Sequence, residues 1–292
     1  MTAAAATATR DLAGARVGLL EARRSSELAE LVRRMGGEPV SAPALREESL
    51  PARPAVEAFL RRLTTGDVTM VVFLTGAGVQ ALFDEADRLD RVGKLTRLLP
   101  AATLVSRGPK PAAALARYGL RPAVSTEPPH TSTHLLAALS GRDLTGARLT
   151  LVHYGERNEA LAAALSGRGA RVDDLLLYEW RLPEDVRPLE RIIEDILAGA
   201  LDVVAFTSQV QARHLFEVAG LDRRDALRSA LNERILVGAI GPTCADALVA
   251  LGVVPGVVPD NPKLRPLLSS LASSLPAWRS RRVDSKVALR SE

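Results

Sequence analysis

The 292-residue sequence holds a single cysteine, Cys244, which excludes an internal disulfide and any metal site built on several thiolates. Aromatic residues make up only 3% of it, too few for the stacking platforms that hold single-stranded nucleic acid. No apolar run approaches the roughly 18 residues of a membrane span. The opening stretch, MTAAAATATR, has neither a basic start nor a strongly apolar segment, so no signal peptide is expected. Histidines number four. His130 and His134 stand four apart in "HTSTH" but lack an acidic third ligand, and read as a solvated helix start. His153 and His214 look isolated. There is no P-loop and no nucleophile–histidine–acid pattern. What remains is the expectation of a cytoplasmic protein with no membrane, metal, cofactor or nucleic-acid partner. At 47% hydrophobic and 25% charged residues it has a globular balance, and its length suits two domains. A formal charge of +4 is compatible with an anionic small-molecule ligand.

What is present in abundance is self-similarity. "GARVGLLEARRSSELAELVRRMGGEPV" starts at Gly14 and "GARLTLVHYGERNEALAAALSGRGARV" at Gly146, an offset of 132 residues. The same offset carries Val71-Val72 to Val203-Val204 and Thr75 to Thr207. One inserted residue later, an offset of 133 carries Gly108-Pro109 to Gly241-Pro242, Leu115 to Leu248, Gly119 to Gly252 and Pro129 to Pro262. Ordered anchors with one insertion imply a gene duplication. Each copy reads as alternating strands and helices. Apolar runs fall at 17–20, 68–74 and 102–105, and again at 149–152, 203–206 and 235–240. In the first helix Leu28, Leu31, Val32 and Met35 share one face, and Gly36-Gly37 stops it. Short connections between such elements predict two doubly wound α/β domains with parallel sheets. From Pro276 on, "PAWRSRRVDSKVALRSE" reads as a loose, basic polar tail over 277–292.

Ligands of open parallel sheets bind beyond the carboxyl ends of the strands. Six loops qualify, at 21–26, 75–80, 106–110, 153–158, 207–211 and 241–244. Their Ser, Thr, Gly and amide residues suit helix starts, and first-turn N–H groups there are open to an anion. Arg23, Arg24, Arg107, Lys110 and Arg157 add positive charge. Capping alone would also explain the hydroxyls. A cleft between the copies is the expected site. Gly76-Ala77-Gly78-Val79-Gln80-Ala81 matches G-x-G-x-x-A, the dinucleotide turn. The match needs an acidic residue at the end of the next strand, about 20 residues on. That strand ends at Val105-Ser106-Arg107, and the repeated turn, Thr207-Ser208-Gln209-Val210-Gln211, has no glycine. A nucleotide-dependent oxidoreductase is therefore the weakest reading, and the glycines are expected to allow close backbone approach. Cys244, at a helix start, reads as a packing residue.

Three segments, "VVAFTSQVQARHLFEVAG" (203–220), "VGAIGPTCADALVALGV" (237–253) and "LLLYEWRLPED" (175–185), resemble the uroporphyrinogen-III synthase family. The likeness runs through about residues 14–272. It implies a cofactor-independent, monomeric lyase of haem, sirohaem or cobalamin biosynthesis. Such an enzyme closes hydroxymethylbilane, a linear tetrapyrrole with eight carboxylates, with inversion of ring D and loss of water. It implies two α/β domains joined by a two-stranded linker, with the site in the interdomain cleft. Domain one would hold 1–42 with 183–276, domain two 43–182, and the crossings would fall near 39–46 and 178–183. Tyr178 matches the family's tyrosine proposed as proton donor, although packing would equally explain it. Ser208 and Thr243 match residues that position carboxylates. The substrate-binding set implied is Thr75, Gly76, Ala77, Arg107, Gly108, Lys110, Gly155, Thr207, Ser208, Gln209, Gly241, Pro242 and Thr243. Gly76 departs from the family by lacking a hydroxyl, and Cys244 replaces another. The alternative implied is a synthase-derived ligand-sensing or regulatory protein without turnover.

Overall fold

The computed structural model describes residues 11–50 and 52–288, with the backbone alone at 49, 154, 178 and 282–288. The chain opens with β1 (Arg16–Leu19), α1 (Ser25–Arg34), β2 (Glu38–Ser41) and β3 (Arg46–Ser49). It continues through α2 (Arg53–Thr64), β4 (Met70–Phe73), α3 (Gly76–Arg88), α4 (Val92–Leu98), β5 (Thr103–Ser106), α5 (Pro109–Ala116) and β6 (Val124–Ser125). Then come α6 (Ser132–Ala138), β7 (Arg148–Gly155), α7 (Glu159–Ser166), β8 (Arg171–Arg181) and α8 (Arg187–Leu197). The last elements are β9 (Val203–Phe206), α9 (Gln209–Glu233), β10 (Leu236–Ala239), α10 (Pro242–Ala250) and α11 (Leu264–Ala288). Two compact units result: one runs to Arg46 and resumes at Arg181, and the other is Glu47–Trp180.

The first unit has a four-stranded sheet in the order β10-β9-β1-β2, every pair parallel. Its central strand β9 is fully buried. Val204 and Phe206 face a core with Ile192, Leu215 and Leu231, and Val203 and Ala205 face one with Leu28, Val32 and Leu271. A strand covered on both faces must be apolar throughout, which is why β9 reads as an unbroken run. The second unit repeats this layering on the six-stranded order β3-β8-β7-β4-β5-β6. Val71 and Phe73 of β4 face Phe59, Leu82 and Leu115, whereas Met70 and Val72 face Leu135, Leu161 and Leu165. Each large side chain buried this way contributes about 1.5–3 kcal/mol.

Main-chain pairings recur in the two units, at an offset of 132 for Gly14 and Arg16 but already of 133 for their partners Gly36 and Glu38. The Gly14 N–H donates to the Gly36 carbonyl at 2.8 Å, and the Gly146 N–H to the Gly169 carbonyl at 2.9 Å. Arg16 pairs with Glu38 and Arg148 with Arg171; Val105 pairs with Val124 and Gly238 with Val257. The extra residue thus falls before Gly36 rather than after Thr75, and the register corrects the matches in between. Met70 stands between Leu149 and Thr103, and Val203 stands between Val17 and Leu236. Val203 therefore takes the place of Met70 rather than Val71, and the counterpart of Thr75 is Ser208 rather than Thr207. Apolar strands slide by one residue on paper without penalty, but a slip of one would turn every side chain to the other face.

The expected loose tail over 277–292 is also corrected as far as residue 288; 289–292 lie outside the described residues. Residues 277–288 continue α11, with Pro276 inside the helix. Leu267, Leu268, Leu271, Ala272 and Leu275 are buried, and Trp278 packs on the same core at the helical spacing. Arg279 then reaches Asp202 at 3.1 Å. The apolar face carries the helix past the proline, which removes one N–H and crowds the carbonyl four residues before it.

Candidate functional site

In the second unit, Thr75 caps α3 by accepting the Gly78 N–H at 2.9 Å. The N–H groups of Gly76 and Ala77 precede the first intrahelical acceptors and point out of the helix end. A Cβ on Gly76 would lie 2.9 Å from the Lys110 carbonyl oxygen, so only glycine lets the starts of α3 and α5 approach this closely. That packing explains both the glycine turn and the hydroxyl missing at this position.

Ser106, fully buried, shares a 2.7 Å hydrogen bond with Ser125 at the ends of β5 and β6. The Arg107 N–H donates to the Phe73 carbonyl at 3.0 Å, and its side-chain Nε to the Leu74 carbonyl at 3.2 Å. Among the described residues no carboxylate pairs with Arg107, and burial pulls its guanidinium below the usual arginine value. Arginine remains a cation at neutral pH even so. Gly108 follows with φ +96°, and a Cβ there would meet the His130 ring at 2.8 Å. His130 is held by the Thr126 carbonyl, 3.0 Å from its Nδ1. Pro109 starts α5, which leaves Lys110 exposed on its first turn.

Gly155, at the end of β7, has φ +91°, and a Cβ there would fall onto the Trp180 indole nitrogen. The indole lies where any side chain at 155 would be. Between His153 and Gly155 the register to β8 shifts: His153 opposes Leu176, whereas Gly155 opposes Glu179. One extra residue on β8 is thus accommodated over Leu177 and Tyr178. The backbone of Tyr178 lies in this irregular stretch; its side chain is outside the described residues.

In the first unit, Ser208 caps α9 by accepting the Val210 N–H at 3.1 Å, with Gln209 as the first helical residue. Thr207 is engaged internally. Its N–H donates to Gln211 Oε1 at 2.7 Å, its hydroxyl donates to Glu21 Oε2 at 2.5 Å, and it accepts from Gln211 Nε2 at 2.8 Å. Glu21 also accepts the N–H groups of Arg23 and Arg24 at 3.1 and 3.4 Å. The loop at 21–26 therefore meets its own carboxylate, in contrast to the expected open anion site. Gly241, in extended backbone, precedes Pro242 at the start of α10, and Pro242 and Thr243 are exposed. Cys244 is buried with its Sγ 3.7 Å from the Phe206 carbonyl, and burial pushes the thiol up to about 12. It packs, as the sequence suggests.

The sequence reading missed two pairings. His153 is fully buried, with Nε2 2.7 Å from Asp174 Oδ1, and His214 places Nδ1 2.7 Å from the Ala44 carbonyl oxygen. Neither is isolated; a cross-strand pair becomes visible only once the register is known. No group of His, Cys, Asp or Glu among the described residues could hold a metal ion. No described helix is long and apolar enough to cross a membrane.

Comparison with known proteins bears on the fold and the family. A mutant uroporphyrinogen III synthase from Thermus thermophilus superposes with a TM-score of 0.71 at 31% identity, over 93% of this chain and 100% of that one. An uncharacterized Bacillus subtilis protein, YjjA, is 28% identical over 264 residues, 90% of this chain and 97% of its own length. Uroporphyrinogen-III synthetase from Helicobacter pylori shares the fold at 15% identity, with a TM-score of 0.50, over 89% of this chain and 99% of that one. The profile of the family described as uroporphyrinogen-III synthase HemD matches residues 26–269. With that span matched, and two parallel α/β units beneath it, the chain belongs to the uroporphyrinogen-III synthase family.

Proposed function

We propose that the chain is a uroporphyrinogen-III synthase, a monomeric cytoplasmic lyase that closes hydroxymethylbilane with inversion of ring D and loss of water. Two α/β units of duplicated origin would bind the substrate through the loops at their strand ends. The observation that carries this reading is Arg107, a half-buried cation without a carboxylate partner among the described residues, held by the Leu74 carbonyl just before α3. An eight-carboxylate substrate supplies the counter-charge that the protein withholds. Thr75, Gly76, Ala77, Gly108, Lys110 and Gly155 in one unit, and Ser208, Gln209, Gly241, Pro242 and Thr243 in the other, would receive further carboxylates through N–H groups and hydroxyls. Thr207 would act through Glu21 and Gln211, since its hydroxyl is already engaged.

The reaction requires the carbinol hydroxyl to leave, pushed by the pyrrole nitrogen lone pair. Tyr178 would donate the proton with which it leaves as water. The substituted carbon of ring D then attacks the cationic methylene, giving a spiro-pyrrolenine. Its older bond to the ring C bridge breaks, the bridge rejoins ring D at the free carbon, and loss of the proton there yields the inverted macrocycle. Holding the bilane folded so that this carbon is in reach supplies the main advantage, through proximity and orientation. No cofactor is called for.

The test is to supply hydroxymethylbilane generated in situ and to separate the uroporphyrin isomers after oxidation. An excess of isomer III is expected. Isomer I alone, the product of spontaneous closure, would overturn the reading and leave a tetrapyrrole-sensing protein without turnover.

A further inference from the structure

Resting on the synthase reading, we propose that His153 and Asp174 form a positioning pair that sets the irregular pairing of β7 with β8, and with it the placement of Tyr178 and the Gly155 turn. His153 is one of few fully buried polar side chains among the described residues. A buried imidazole is tolerated only if both nitrogens are satisfied. Here Nδ1 accepts the Asn158 N–H at 3.3 Å, so the ring proton sits on Nε2 and is donated to Asp174 Oδ1 at 2.7 Å. A proton on Nδ1 would oppose the Asn158 N–H. The contacts therefore select one neutral tautomer and fix the ring plane.

The pair sits where it can act on the site. His153 opposes Leu176, and Asp174 lies two residues before Leu176 on the same face of β8. Regular pairing runs up to this diagonal contact, and the extra residue appears directly after it. A bulge re-aims the side chains it carries, and its position is kept by whatever ends the regular ladder. Here the imidazole–carboxylate bond ends it. On the other side, Asn158 caps α7 through Leu161 and donates from Nδ2 to Ser132 at 2.9 Å. Residues 154–157 are thus stretched between a buried ring and a helix start. Gly155, in the middle, must pass under the Trp180 indole. Neither strand can shift its register here without breaking the pair.

Two readouts test this on the full chain, comparing Asp174→Ala with Asp174→Asn, whose side-chain oxygen still accepts the Nε2 proton. In Asp174→Ala, amide hydrogen exchange should rise about tenfold or more in peptides covering 153–158 and 176–180, with β4 and β9 unchanged. Isomer III formation should lose about 10- to 100-fold in kcat with KM within about threefold, as expected when a reacting group is misplaced. Asp174→Asn should recover most of both. Unchanged local exchange in Asp174→Ala would overturn the proposal, as would a loss confined to KM or equal damage in Asp174→Asn. If the alanine variant does not fold, Asp174→Ser, too short to reach the ring, takes its place. A wild type without isomer III removes the synthase reading, while the exchange comparison still decides the positioning pair.

Discussion

Arg107 donates its Nε proton to the carbonyl of Leu74 at 3.2 Å, and that main-chain oxygen is the only acceptor its guanidinium meets among the described residues. The contact ties the side chain to the main chain between the end of β4 and the start of α3. Burying part of a charge that meets no carboxylate among the described residues costs stability.

Replacing Arg107 with Met should therefore separate stability from function. The melting temperature is expected to stay unchanged or to rise, while KM for hydroxymethylbilane rises about tenfold, the weight of one charge-assisted contact. Calorimetry and initial rates measure the two. A lower melting temperature with unchanged KM would assign Arg107 to the scaffold instead.

Tyr178→Phe removes the proposed proton donor with little change in shape. Isomer III formation should slow by about 100-fold, within the usual range for general acid catalysis, at nearly constant KM. Unchanged turnover would take Tyr178 out of the mechanism.

Gly155→Ala forces a methyl group into the space of the Trp180 indole at a positive φ. The expected cost is about 2–4 kcal/mol in denaturant unfolding, from overpacking and backbone strain together. Combined with Trp180→Ala, part of that cost should return, and a double-mutant cycle gives the coupling. Additive effects would mean that the indole yields freely.

Cys244 supplies a pH dependence. Its thiol ionises near 9.0 when unfolded and near 12 when folded, because burial disfavours the thiolate. The unfolded chain therefore loses its proton first. Cys244 contributes fully below pH 9.0, and its contribution falls as pH rises towards 12. Urea midpoints of the wild type and Cys244→Ala should converge between about pH 8 and about pH 11. At about pH 8 an alkylating reagent should leave the native thiol untouched.

Strand identity was readable because β4 and β9 are covered on both faces and so are apolar from end to end. The loops that cap α3 and α9 were readable from Thr75 and Ser208, since a hydroxyl before a helix has a local reason to be there. Features decided at a distance were not. Matching Thr75 to Thr207 satisfied the letters but not the register, and only the neighbours Leu149 and Val17 settle it. Trp278 and Arg279 look like tail residues until Asp202, far away in sequence, is placed beside them. His153 looked isolated for the same reason: its partner stands on another strand, at a position fixed by pairing. Thr207 looks open because nothing local announces Glu21, although Gln211 stands only four residues on.

The division of the chain at Arg46 and Arg181 also has a consequence for synthesis on the ribosome. Strand β1 emerges early, yet its partner β9 is paired through Val17 and Val203 and arrives only after the whole of Glu47–Trp180 has been made. The later-starting unit is complete first, while β1, α1 and β2 wait as a fragment with one edge of their sheet unpaired. Vectorial folding is thus nested rather than sequential: the inner segment closes before the outer one can. A pause or truncation between Trp180 and Val203 leaves a finished second unit attached to an unfinished first.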